Sequence, residues 1–150
     1  MPIRGKGKVL AVNISRDKGT KKRNIRRCDL LADFGLQGDA HAGQWHRQVS
    51  LLANESIDTM RRKGLQASFG DFAENITTEG IDLMSLPIGT TLRVGQEVIL
   101  RMTQKGKECH DRCAIYYEMG DCVMPREGIF AEVLHPGKIS VGDTIEVMEE

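Results

Sequence analysis

No stretch of the 150 residues approaches the roughly 20 consecutive apolar residues that cross a bilayer. The opening MPIRGKGKVLAVNI has a brief polar start and then a strand pattern. It lacks the apolar core and small-residue cleavage site of a signal peptide. Net charge is absent as well. Lys and Arg number 21 and Asp and Glu number 21, so no bulk field argues for nucleic acid or for a membrane surface. Solenoid repeats and low-complexity tracts are missing. With no sign of export, the four cysteines read as reduced thiols, open to catalysis or metal binding rather than disulfides. These absences lead to the expectation of a soluble cytoplasmic protein with neither a membrane nor a nucleic-acid partner. A chain of this length buries about 68–70% of its unfolded surface, so residues 1–150 are expected to form one domain.

What is present is a series of short, β-branched runs punctuated by glycine. Lys8–Ser15, Thr91–Val94, Val98–Thr103, Ile129–Leu134 and Thr144–Met148 read as strands, with a hairpin through Gly95-Gln96 and a turn at His135–Lys138. One helix is expected from Asn54 to about Lys63, with Asn54 as N-cap, Ile57 and Met60 as its apolar stripe, and Gly64 ending it. Many short strands and one clear helix argue for a mainly β fold, a closed or partly open barrel carrying a few short helices.

Four stretches carry chemistry. Between Arg16 and Arg27 lie seven basic residues, readable as a solvated hairpin tip or as an edge that grips phosphate through paired Arg donors. Cys28 beside it reads as a small packing residue. Gly35–Gln48 (GLQGDAHAGQWHRQ) holds Asp39, His41, His46 and the only tryptophan. The histidines are five apart, so they would not share a helix face as a metal pair does. Asp39 is expected to close a turn through its own backbone. In FGDFAENITTEGIDL, Glu74 and Asn75 precede a β-branched run. There the Asn amide suits a heterocycle as well as it suits a turn.

The fourth stretch, QKGKECHDRCAIYYEMGDCVMPREG, holds Cys109, Cys113 and Cys122 between two strand-like segments. Zinc is one reading, but Cys109 and His110 are adjacent and no second matched Cys pair follows. Simple packing is another, and suits Cys122 beside Val123 and Met124. The third is a reactive thiolate at Cys113. A free Cys is only about 3% ionised at pH 7. Arg112, His110, Lys107 and Lys105 are close in sequence, and cations brought to within about 4–6 Å would favour the thiolate, with Asp111 opposing them. Such a thiolate serves as a soft metal ligand or a sulfur-transfer nucleophile.

Taken in order, GLQGDAHAGQWHRQVSLLANESI, FGDFAENITTEGIDLMSLPIGTTLRVG, CHDRCAIY and MPREGIFAEVL resemble a MOSC domain, the domain similar to the C-terminal part of molybdenum cofactor sulfurases, in its small standalone bacterial form. The resemblance spans roughly residues 5 to 148. It implies a barrel-like β fold and a role in handling the molybdenum cofactor, a pterin dithiolene with a terminal phosphate. The family's characteristic Cys matches Cys113, which would be the catalytic residue and the molybdenum ligand. In related reductases of N-hydroxylated compounds the matching Cys binds molybdenum, and in other members a sulfur-carrying role is proposed. Asn75 falls where related domains contact the cofactor. Glu74, Asp39 and His41 belong to the same motifs, and Lys107 and Arg112 are basic candidates for phosphate or pterin contacts. The reading that results is a cofactor-binding protein that carries or delivers cofactor or sulfur through Cys113. Its partners would be molybdenum cofactor biosynthesis proteins or molybdoenzymes. A molybdenum-dependent reductase and a structural zinc module are the alternatives.

Overall fold

The computed structural model describes residues 5–106, 115, 120 and 122–148. Its strands are β1 (Lys6–Ile14), β2 (Arg23–Asn24), β3 (Arg27–Leu31), β4 (Gly35–Leu36), β5 (Val49–Ala53), β6 (Ile76–Glu79), β7 (Thr91–Val94), β8 (Val98–Lys105), β9 (Ile129–His135), β10 (Gly137–Ser140) and β11 (Thr144–Val147). Two short α-helices are described, α1 (Asn54–Arg62) and α2 (Met124–Glu127). No helix among the described residues is long and apolar enough to cross a membrane.

Seven strands close into a barrel in the order β1-β6-β5-β9-β8-β7-β11, and β11 pairs back onto β1. Strand β1 can do this because its first residues (Lys6–Lys8) pair with β11 and its later ones (Lys8–Val12) with β6, across a bulge between Val9 and Ala11. Closure removes the exposed edges that an open sheet of this kind would present. Alternation fills the interior. Leu92 and Val94 on β7, and Val98, Leu100 and Met102 on β8, point inward with solvent-accessible residues between them. Strand β5 reads as a continuous apolar run for a different reason, since both its faces are covered. Val49 and Leu51 enter the barrel, while Leu52 faces outward under α1. A small second sheet, β10-β3-β4, packs beside the barrel.

The pair β5–β6 is parallel, and α1 is part of the crossover between them. Ile57 and Met60 are buried as expected, and Gly64 follows the helix at φ +97°. The N-cap is a correction. Strand β5 runs straight into the helix, so Ala53 is the capping residue, and the Asn54 side-chain oxygen instead accepts a hydrogen bond from Arg61 at 2.9 Å. The expected turn at His135–Lys138 is a second correction. Chain direction changes there through Pro136 alone, and Gly137–Ser140 goes on as β10 to pair with β3. Proline has no N–H to offer the ladder, so pairing with β8 stops at His135 and the chain leaves the barrel wall.

Candidate functional site

The outer face of the β5–β9 wall gathers the unusual segments. Leu52 and Phe130 project there, and Phe72, Ile115 and Val123 pack with them, with Ala73 and Cys122 partly buried at the margin. Ser50 on the same strand as Leu52 donates its hydroxyl to the Ala73 carbonyl at 3.2 Å. From the other side, the Thr103 hydroxyl donates to the His46 carbonyl, and the Arg47 guanidinium lies 5.7 Å from the Phe130 ring.

Lys22 organises the approach to this wall. It belongs to the basic run, yet only 4% of it is exposed, because the β1–β2 hairpin turns its side chain inward. Its ammonium donates to Asp39 Oδ1 at 2.7 Å, Ser15 Oγ at 3.0 Å and His41 Nδ1 at 2.9 Å. An ammonium has three protons and no lone pair. Nδ1 of His41 therefore accepts, and the ring proton of the neutral imidazole resides on Nε2. Asp39 also receives the Ser15 N–H on Oδ1 and the His41 N–H on Oδ2, each at 3.1 Å. The second of these is the expected bond to its own backbone two residues on; the ion pair is the addition. Burial alone would raise the Asp39 carboxyl. The Lys22 charge and hydrogen bond, helped by the Asn75 amide and the Ser15 N–H, outweigh that and hold it below the ordinary carboxylate range.

Glu74 and Asn75 are fully buried, and their contacts are structural. Glu74 accepts from Gly70 N–H at 2.9 Å, the Thr77 hydroxyl at 2.8 Å and Phe72 N–H at 3.2 Å. Burial dominates its titration and pushes the carboxyl up, while those donors pull the other way. Asn75 latches three strands. Its Oδ1 accepts Ser50 N–H at 2.9 Å, its Nδ2 donates to the Asn13 carbonyl at 3.1 Å, and its own carbonyl accepts Asn13 N–H at 2.6 Å. The amide expected to meet a heterocycle is thus occupied by β1 and β5, so Asn75 positions the wall. Gly70 shows how closely these segments approach. It sits at φ +88°, and a Cβ there would lie 2.2 Å from the Lys22 carbonyl oxygen.

A family model for the MOSC domain matches residues 38–146. The chain belongs to the MOSC domain family. That family is associated with molybdenum cofactor binding. Among solved structures, the YuaD protein of Bacillus subtilis is similar, with 20% identity, a TM-score of 0.78 and coverage of 95% of each chain. YiiM from Escherichia coli has 19% identity and a TM-score of 0.68, over 97% of this chain and 70% of that one. YiiM from Geobacillus stearothermophilus has 17% identity and a TM-score of 0.71, over 95% and 75%. At these identities the likeness establishes the fold. No curated protein matches the chain.

Within this MOSC domain, the structure brings Asp39 and His41 together through Lys22, and sets Glu74 and Asn75 behind them in the wall. Cys113, Arg112, Lys107, Cys109 and His110 lie outside the described residues. Cys28 packs as expected: it is buried, and burial pushes its thiol up. Among the described residues no group of three His, Cys, Asp or Glu side chains is placed to hold a metal. Lys22 and Arg47 were missed as distinct residues. Each looks like one more cation in a polar stretch, and only burial and aromatic contact separate them from the rest. A cleft of about 280 Å³ bordered by Arg16, Lys21 and Arg23 remains on the hairpin for the phosphate-edge reading, but Lys22 is withdrawn from it into the ion pair.

Proposed function

We propose that this MOSC-domain protein binds the molybdenum cofactor against the β5–β9 wall, with Cys113 as the thiolate ligand. It would carry or deliver the cofactor, or its sulfur, to molybdenum cofactor biosynthesis proteins or molybdoenzymes. The observation that carries this reading is the convergence of the Gly38–Gln48 motif, the Glu74-Asn75 motif, Ile115 and Cys122 on one face. The residues present fit an anionic group. Arg47 Nε is buried with no hydrogen-bond partner among the described residues, and Lys18 and Arg47 both lie against the Trp45 ring. When bound, the cofactor would supply a thiophilic, redox-active metal centre. The chain's part would be a soft sulfur ligand from Cys113, cationic contacts for the anionic groups from Arg47 and Lys18, and a neutral imidazole at His41 held in one tautomer by Lys22. Lys107 and Arg112 would add cations by their place in the sequence.

The test is the molybdenum, pterin and zinc content of protein purified, without a chelating tag, from a host that makes the cofactor. Wild type is expected to hold molybdenum and pterin, and Cys113→Ser to lose most of the metal. Stoichiometric zinc that disappears in both Cys109→Ala and Cys113→Ala would overturn the assignment in favour of a zinc module. Transfer from loaded protein to an apo-molybdoenzyme separates a carrier from a reductase, which would instead turn over an N-hydroxylated base when given an electron donor.

A further inference from the structure

Arg47 is held in an unusual way. Its guanidinium carbon lies 4.7 Å from the Trp45 ring centroid and 5.7 Å from that of Phe130, so both contacts are to aromatic rings. Among the described residues, no carboxylate or carbonyl accepts a hydrogen bond from it, and its Nε is buried without a partner. A guanidinium whose donors meet no protein acceptor keeps them available for an acceptor brought by a ligand. Among the described residues, two other buried side-chain polar atoms lack partners, Asn13 Oδ1 and Thr78 Oγ1, but those residues are wholly enclosed. The Arg47 Nε is enclosed, but the residue is only half-buried and its terminal guanidinium nitrogens are not among the enclosed atoms, so a ligand reaches the open end of the fork.

The surroundings are fixed and electropositive. Trp45 donates its Nε1–H to the His41 carbonyl at 2.8 Å, and the Lys18 ammonium lies 4.9 Å from the same ring. On the far side of Arg47, Gln48 is fully buried. Its amide donates to Asp33 at 2.9 Å and accepts Val133 N–H at 2.9 Å, which ties the backbone to β9. Asp39, the acid of this loop, is spent on Lys22. The result is a guanidinium fork whose backbone is tied down on both sides. A second cation shares its tryptophan, and no described carboxylate lies within ion-pair distance of either.

We infer that Arg47, together with Lys18 against the same Trp45 ring, forms a binding subsite for a phosphate-type oxyanion. A guanidinium offers paired N–H donors that match two phosphate oxygens, and a second ammonium complements the remaining charge. The subsite deepens the cofactor reading, in which Arg47 and Lys18 contact the anionic groups, but its chemistry requires only the oxyanion and not Cys113. Free phosphate and a phosphate ester share this chemistry.

Trp45 is the only tryptophan, so its emission reports on the site directly. Inorganic phosphate and ribose 5-phosphate are titrated separately into the full chain, purified free of cofactor, at constant ionic strength against chloride. A saturable change in emission is expected. Arg47→Met should weaken the apparent affinity at least about tenfold, the loss of one charge-assisted hydrogen bond, with Arg47→Lys between it and wild type. Lys138→Met, at an exposed cation on β10, should titrate as wild type, and because the protein is free of cofactor, failure of the cofactor reading would leave this result standing. Tighter binding of the ester assigns the site to an esterified ligand; equal binding assigns it to free oxyanion. Should Arg47→Met not fold, the Arg47 Nε–H resonance of the wild type is followed instead, and it should shift on adding phosphate. No saturable change beyond the chloride control, an unaltered titration in Arg47→Met, or an unmoved Arg47 resonance overturns the inference.

Discussion

Lys22 places its ammonium 2.7 Å from Asp39, with both side chains fully buried. Replacing it with Met would leave a carboxylate enclosed without its counter-charge, and breaking a buried pair in this way costs about 3–5 kcal/mol. Lys22→Met is therefore expected to lower the melting temperature sharply, while Lys21→Met, at an exposed neighbour, should barely move it. Differential scanning calorimetry of the two variants checks this. The two buried acids act with opposite sign as pH changes. Asp39 is held below its unfolded value, so its contribution is present above about pH 3.9 and is lost as pH falls through the folded pKa. Glu74 is pushed up, so it binds its proton more tightly when folded. Its contribution is greatest at low pH and declines as pH rises from about 4.3 toward the folded value. Glu74→Gln is expected to abolish the second decline and to leave the first. Urea unfolding of wild type and variant across the acid range measures both, and an unchanged profile in Glu74→Gln would refute the assignment.

Asn75 stands immediately before β6 and joins that strand to β1 and β5. Removing its side chain would leave the Ser50 N–H and the Asn13 carbonyl without these partners in a dry interior. At about 1–3 kcal/mol for each buried orphan, Asn75→Ala should cost at least about 2 kcal/mol. It should also raise amide exchange in β5 and β6 before that of β7 and β8; exchange mass spectrometry would detect the order, and uniform loss of protection would count against a local latch. The sequence could not separate this role from ligand contact, because an Asn at a strand edge has the same donors and acceptors in either case. The same blindness applies to the N-cap of α1. Asn54 has the right chemistry, but the strand's direct entry into the helix moved the cap to Ala53.

Closure of the barrel pairs Lys6 with Glu146, near the two ends of the described chain. Such distant pairings have to form before the wall is complete, and folds dominated by them refold in milliseconds to seconds. Stopped-flow refolding is expected in that range; a microsecond phase accounting for all the amplitude would contradict it. Strands β1, β7, β8, β9 and β11, the hairpin at Gly95 and the burial of Ile57 and Met60 were legible because each follows from local period and turn chemistry. So was the family, since its motifs are runs of adjacent residues. The contribution of Lys22, the tie at Asn75 and the aromatic clasp on Arg47 were not legible. Each depends on which residues distant in sequence share one face, and a cation's environment is set by those neighbours and by the absence of water. The amino-acid sequence alone determined that this is a MOSC-type β-barrel. Only the tertiary structure decided which of its many cations is spent inside on Asp39 and which is left without an acceptor, because burial converts identical side chains into different chemistry.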